Sequence, residues 1–135
     1  MEIKKFLDFL PTNFRHEKSF FIQHNLTDFE KLSNLSDSDI NEIQRKSQLC
    51  TLNNLKKIRT IAIFKKEISI SPPEAYLLLH CGIGSIKSLS LYTPDELEGK
   101  IGRLERILRV KTDTGITFAL LKKWIERAKQ ICKSI

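Results

Sequence analysis

Two segments of this chain align with each other, and this internal repeat is the sequence feature that most constrains the fold. Residues 24–40 match residues 80–97, with one extra residue in the second segment. The predicted helix caps Ser36 and Thr93 coincide. Five pairs of apolar residues coincide as well: Leu26 with Ile83, Phe29 with Ile86, Leu32 with Leu89, Leu35 with Tyr92, and Ile40 with Leu97. A chain that repeats both its caps and its apolar positions is expected to contain two copies of one structural unit.

Helix-start signals divide both copies into short helices. Residues 71–74, Ser-Pro-Pro-Glu, place Ser at an N-cap, Pro at the first helical position and Glu where its side chain can reach back to the cap. Residues 93–96 repeat this pattern, residues 27–30 form a third capping box, and residues 36–39 form an acidic variant. No segment shows the alternation of apolar and polar residues that is typical of a strand. The sequence therefore predicts an all-α fold, with helices over residues 3–9, 13–24, 28–33, 37–47, 52–67, 72–80, 85–90, 94–109 and 115–133.

The length of the chain favours a single domain over residues 1–135, because a chain of this size can bury a core of its own. Within it we expect repeat one over residues 13–68 and repeat two over residues 71–133. Residues 1–10 are expected to form a short amphipathic helix that packs on the core.

The net charge of +7 favours a polyanionic partner. Residues 1–68 have 12 basic and 9 acidic side chains, and residues 69–135 have 11 and 7, so neither half is a basic tail. One basic series steps by about three residues, winds round its helix and predicts a solvated face: Lys100, Arg103, Arg106, Arg109 and Lys111. Another set could flank a bound duplex from the last helix of each copy: Lys56, Lys57, Arg59, Lys65 and Lys66 in the first, and Lys122, Lys123, Arg127 and Lys129 in the second.

Three cysteines indicate the compartment. Cys50, Cys81 and Cys132 are an odd number without metal-ligand spacing, which predicts neither a disulfide framework nor a zinc site and favours the cytoplasm. Asp8 and Pro11 interrupt the apolar stretch that a signal peptide would need. The longest apolar runs are far shorter than the ~20 residues that span a bilayer, so no membrane partner is expected.

The second copy carries a family resemblance. Its pattern of a helix, Gly-Ile, a small capping residue, a short helix and Thr-Pro-Asp-Glu-Leu resembles helix-hairpin-helix and sterile-alpha-motif (SAM)-like units. Residues 14–132 resemble a mainly cyanobacterial and bacterial family, domain of unknown function 4332, with residues 79–97 and the Leu-Lys-Lys-Trp segment carrying most of the likeness. The resemblance implies a tandem helix-hairpin-helix (SAM-like) bundle with an internal pseudo-two-fold duplication.

Helix-hairpin-helix units use a Gly-apolar-Gly turn to approach a DNA phosphate, and amides at the next helix N-terminus donate to it. The resemblance therefore implies sequence-independent binding of nucleic acid, with DNA favoured over RNA. The first copy has Asn25 and Thr27 in place of the glycines, so only the second hairpin matches. The implied binding residues are Gly82, Ile83, Gly84, Ser85 and Lys87, assisted by Lys122 and Lys123.

Other interpretations of these residues stay open. Gly82 could simply end a helix in the left-handed conformation, with Gly84 permitting a tight connection. His24 and His80 are expected to be structural, at helix ends. A SAM-like adaptor that binds protein and not nucleic acid is the alternative function. No motif indicates a catalytic residue, a cofactor or a metal site, so we expect a non-enzymatic protein of undetermined oligomeric state.

Overall fold

A computed structural model describes residues 10–26, 28–108 and 116–133. The helix expected over residues 3–9 lies outside the described residues, and so do Thr27, Arg109 and Lys111. The described part of the chain is helical and contains no strand, which confirms the all-α prediction. A 3-10 turn, Thr12–Phe14, precedes helices α1 (Arg15–Gln23), α2 (Phe29–Ser33), α3 (Asp37–Lys46), α4 (Leu52–Ile68), α5 (Pro72–His80), α6 (Ile86–Ser90), α7 (Pro94–Leu108) and α8 (Phe118–Lys133).

Two of the predicted capping boxes form as expected. The Ser36 hydroxyl accepts from the Asp39 N–H at 3.0 Å, and the Asp39 carboxylate accepts from the Ser36 N–H at 2.9 Å. Thr93 and Glu96 make the same reciprocal pair at 3.2 and 3.0 Å. These hydrogen bonds favour the ionised acids and lower the pKa of both Asp39 and Glu96.

The start of α2 differs from the capping box expected over residues 27–30. Its N-cap is Asp28, whose carboxylate accepts from the Glu30 N–H at 3.1 Å. The prediction that Thr27 caps this helix is therefore wrong by one residue. The physical reason is that Asp is at least as good an N-cap as Thr, and its charge also favours the helix dipole.

The chain divides into two compact units, Met1–Pro73 and Glu74–Ile135. The division falls in the first turn of α5, a few residues from the boundary expected between the repeats. The single domain proposed from the sequence stays a prediction.

The two units contain helices in the same order. Each has a nine-residue helix, α1 or α5, before a five-residue helix, α2 or α6. The five-residue helix packs on the long final helix in both units, α2 on α4 and α6 on α8. The duplication stays a hypothesis, and this shared order of helices supports it.

Buried side chains include both members of two of the five apolar pairs in the repeat. Leu32 and Leu89 are fully buried, as are Ile40 and Leu97. In the first unit, the carboxylate of Glu17 is also buried and accepts from the Thr51 N–H at 2.9 Å and the Asn54 side-chain amide at 3.2 Å. This acid ties α1 to the start of α4.

Candidate functional site

The second hairpin begins where α5 ends. Gly82 has φ +87°, its N–H donates to the Leu79 carbonyl, and the Ile83 N–H donates to the Leu78 carbonyl, both at 3.0 Å. This pair of bonds is a Schellman motif, which needs a left-handed residue at the position of Gly82. Gly82 therefore terminates the helix, and Ile83 is fully buried beneath the turn.

The first hairpin makes the same turn without glycine. Asn25 has φ +57°, its N–H donates to the Ile22 carbonyl at 3.3 Å, and the Leu26 N–H donates to the Phe21 carbonyl at 2.8 Å. Asn25 therefore takes the place of Gly82, because Asn tolerates the left-handed conformation better than most residues do. The missing glycine does not prevent the first copy from forming the hairpin.

Gly84 has no comparable conformational role. Its φ lies outside the left-handed region, and a Cβ at this position would meet no atom within 4 Å. The residue is exposed, so its missing side chain leaves the surrounding backbone uncovered. Neither backbone conformation nor packing within the described residues requires glycine here.

Four consecutive backbone N–H groups follow the turn, those of Gly84, Ser85, Ile86 and Lys87. None of them has a hydrogen-bond acceptor within the described residues. The Ser85 hydroxyl caps α6 by accepting from the Ser88 N–H at 3.0 Å, and the first turn of α6 has no acidic side chain. This end of the hairpin presents a row of free donors in a neutral setting.

The corresponding end of the first hairpin is acidic. Asp28 stands opposite Ser85 in the repeat, and Glu30 adds a second carboxylate to the first turn of α2. An anion at this position would meet the chain's own negative charge. Asp28 and Ser85 occupy equivalent positions of the internal repeat, so this difference in charge is visible in the sequence, although the glycines alone do not reveal it.

Lys100 is the cation that the structure places beside the second hairpin. Its ammonium donates to the Cys81 carbonyl at 3.2 Å and lies 5.3 Å from the centroid of the Tyr92 ring. The expectation of a fully solvated face is wrong for this residue, because the lysine stem packs half-buried against the turn. The contact joins residues 19 positions apart, so helix periodicity could not reveal it.

Cys81 adjoins the same turn. Burial raises the pKa of its thiol, and the positive charge of Lys100 acts in the opposite direction without reversing the shift. The thiol therefore stays protonated at neutral pH, which makes it a poor nucleophile.

The three lysines of the predicted site lie apart along the chain and are all exposed. Lys87 lies in α6, whereas Lys122 and Lys123 lie near the start of α8. Helix α8 packs on α6, and one contact between them joins the Cys132 thiol to the Ser90 hydroxyl at 3.8 Å. Lys123 precedes Cys132 by nine residues, which is about 14 Å along a helix.

Three of the five basic side chains of α4 make contacts within the first unit. Arg59 pairs with Asp37 at 2.9 Å and donates to the Leu35 carbonyl at 3.0 Å. Lys65 lies 5.1 Å from the centroid of the Phe29 ring, and Lys66 lies 3.5 Å from the Asn34 side-chain oxygen. The other two, Lys56 and Lys57, have no hydrogen bond or ion pair within the described residues, so free basic charge is present in α4 as well as in α8.

His24 and His80 pack on aromatic rings four residues earlier in their helices. His24 stacks on Phe20 with ring centroids 4.1 Å apart, and His80 meets the edge of Tyr76 at 4.4 Å. In the described part of the chain, no group of three His, Cys, Asp or Glu residues is arranged to hold a metal ion. Over the same residues, none of the helices combines the length and the apolar character needed to cross a bilayer.

Comparison with known proteins gives a family. Residues 11–131 match the model of the family described as Domain of unknown function (DUF4332), so the chain belongs to this family and the resemblance inferred from the sequence is confirmed. No curated protein and no solved structure matches the chain.

Proposed function

We propose that this member of the DUF4332 family is a non-catalytic module that binds nucleic acid through its second hairpin, without sequence preference and with DNA favoured over RNA. The observation that carries the proposal is the row of four N–H donors from Gly84 to Lys87, which has no internal acceptor and no neighbouring carboxylate in its helix turn.

A backbone phosphate suits this row of donors. Amides at a helix start donate to phosphate oxygens, and the partial positive charge of the helix end favours the anion. Gly84 leaves the approach open, and Lys87 adds an exposed ammonium three residues along. Because phosphates are the same at every base pair, contacts of this type fix position without reading sequence.

Lys100 supports the same surface from the other side of the turn. Its ammonium has one donor engaged by the Cys81 carbonyl, which leaves two donors for a further acceptor. The assisting role that the sequence predicts for Lys122 and Lys123 stays a prediction. Both residues lie toward the opposite end of α8 from the hydrogen bond between Cys132 and Ser90.

Exchanging the cap of α6 tests the proposal. Ser85→Asp installs the acid that the first copy has, and Asp caps a helix as well as Ser does, so the fold is retained while a carboxylate fills the donor row. Ser85→Asn is the matched neutral control. Titration of a labelled 20-base-pair duplex at 50 mM salt should show binding weakened about tenfold or more by the acid, an effect of the size expected for losing one charge-assisted contact.

Two results would count against the proposal. One is the absence of duplex binding by the wild-type chain at low salt. The other is equal binding by the Asp and Asn variants, because an anion-binding row cannot be indifferent to a carboxylate placed within it.

A SAM-like protein adaptor is the second candidate. The observation that favours it is the exposure of large apolar side chains, with Leu91 at the end of α6 76% exposed and Leu49 65% exposed. An affinity pull-down after nuclease treatment separates the two functions. A stoichiometric protein partner that survives nuclease and is lost in Leu91→Ser would favour the adaptor.

We further propose that the protein acts in the cytoplasm. All three cysteines are free thiols, and a reducing compartment would keep them so.

A further inference from the structure

Helix α8 exposes four lysines in two pairs, one near each end of the helix. Lys122 and Lys123 form the first pair, and Lys129 and Lys133 form the second. None of these ammonium groups has an ion pair or hydrogen bond within the described residues. The opposite side of the helix is buried through Leu121, Trp124, Ile125 and Ala128.

The second pair lies at the C-terminal end of α8, where Cys132 contacts α6. The Cys132 thiol donates to the Ser90 hydroxyl at 3.8 Å, and that hydroxyl donates to the Lys87 carbonyl at 2.6 Å. Lys133 adjoins Cys132 and Lys129 precedes it by three residues, so both lie within about 5 Å of this contact along the helix axis.

Lys87 occupies the other side of that contact. It lies three residues before Ser90, which is again about 5 Å along a helix. Exposed lysines of α6 and α8 thus lie within about one helical turn of the same contact between the two helices. The sole acid of α8, Glu126, is one turn from Lys122, Lys123 and Lys129, and two turns from Lys133.

We infer that Lys129 and Lys133 extend the phosphate-binding surface of the second hairpin, so that a nucleic-acid backbone passing Lys87 continues over the C-terminal end of α8. The inference rests on the proposed function. It assigns the assisting role in α8 to the pair at the α6 contact and not to Lys122 and Lys123.

The surface fits a polyanion better than a lipid bilayer. A helix that lies on a membrane inserts large apolar side chains beside its lysines. From Leu121 to Ala128 the large apolar side chains of α8 are buried in the protein, with Trp124 and Ile125 each 2% exposed. The exposed apolar ring of Phe118, 42% exposed, lies at the other end of the helix from Lys129 and Lys133. The end with these two lysines therefore offers charge without a large exposed apolar side chain of α8, which suits contacts with successive phosphates.

The two lysine pairs provide a matched comparison within one helix. Lys129→Gln with Lys133→Gln removes the same charge as Lys122→Gln with Lys123→Gln, and Gln is a helix former comparable to Lys. Each double variant of the full chain is titrated with a labelled 20-base-pair duplex between 50 and 200 mM salt. Circular dichroism on heating verifies that both variants remain folded.

The double variant of Lys129 and Lys133 should change the salt dependence of duplex binding, and the double variant of Lys122 and Lys123 should not. Loss of two phosphate contacts makes the slope of log affinity against log salt less negative by about 1.8, whereas the first pair should leave the slope unchanged. Equal slopes for the two double variants would overturn the inference, since binding would then respond only to net charge. A larger effect from Lys122 and Lys123 would overturn it as well.

Two further readings separate this inference from the proposed function. If Ser85→Asp abolishes duplex binding while the two double lysine variants give equal slopes, the proposed role of the hairpin is supported and the α8 surface is refuted. If Ser85→Asp binds normally while only the Lys129 and Lys133 double variant makes the slope less negative, the proposed role of the hairpin is refuted and the α8 surface is supported. Loss of binding to vesicles of 30% phosphatidylserine in the second-pair variant, with duplex binding intact, would assign the surface to membranes and overturn the inference.

Discussion

At the scale of single residues, two glycines that are adjacent in a motif have different roles. The positive φ of Gly82 favours glycine at that position, whereas Gly84 meets no conformational or steric demand within the described residues. Asn25 makes the turn of Gly82 in the first copy, which shows that the turn itself does not depend on glycine. The proposed function therefore assigns the difference between the two hairpins to the cap, which is Ser85 in the second and Asp28 in the first.

Alanine substitutions should separate the two glycines by stability. Gly82→Ala places a Cβ in the left-handed region and should lower the free energy of unfolding by about 1–2 kcal/mol. Gly84→Ala should change it by less than about 0.5 kcal/mol, as expected of an exposed surface position. Urea denaturation of the two variants measures this. A larger loss for Gly84→Ala would contradict the assignment of roles.

Between elements, the buried carboxylate of Glu17 joins α1 to α4. Glu17→Ala removes an acceptor from the Thr51 N–H and the Asn54 amide, and should cost about 2–3 kcal/mol of unfolding free energy because hydrogen bonds to charged groups are strong. Glu17→Gln retains the shape and one acceptor oxygen, so it should cost less. A cost near zero for Glu17→Gln beside a full cost for Glu17→Ala, measured by urea denaturation, would mean that the side chain acts through packing alone.

Acid should weaken the capping boxes of α3 and α7. The pKa values of Asp39 and Glu96 are lowered in the folded chain, so both contribute stability that is present above their unfolded pKa and is lost as pH falls through the folded value. The double variant Asp39→Asn with Glu96→Gln should therefore lose less stability than the wild type between pH 7 and pH 3. Parallel losses would show that the caps do not contribute to this pH dependence.

Most helix boundaries could be predicted because their signals are local. The caps at Ser36 and Thr93 act on residues within one turn, and α5 begins at Pro72 as expected. The contacts around the candidate site join residues far apart in sequence. Lys100 reaches Cys81 and Cys132 reaches Ser90, and no period within a single helix encodes such pairings.

At the scale of the molecule, the two units share an order of helices but differ in charge at equivalent places. The first unit uses Asp28 as a cap and engages Arg59, Lys65 and Lys66 internally. The second unit has a neutral cap, Ser85, and the lysine ammonium groups of α6 and α8 make no ion pair or hydrogen bond within the described residues. Under the proposed function, the two units share an order of helices while only the second offers an anion-binding surface at its hairpin.

The proposed function requires that the second hairpin, and not the first, contact the nucleic-acid backbone. An amide ¹H–¹⁵N correlation spectrum of the full chain, recorded while a 20-base-pair duplex is added at 50 mM salt, tests it directly. The amide signals of residues 84–87 should shift most, together with those near the end of α8, while those of residues 28–31 stay in place. Shifts centred on residues 28–31, or a spectrum that does not change, would contradict the account.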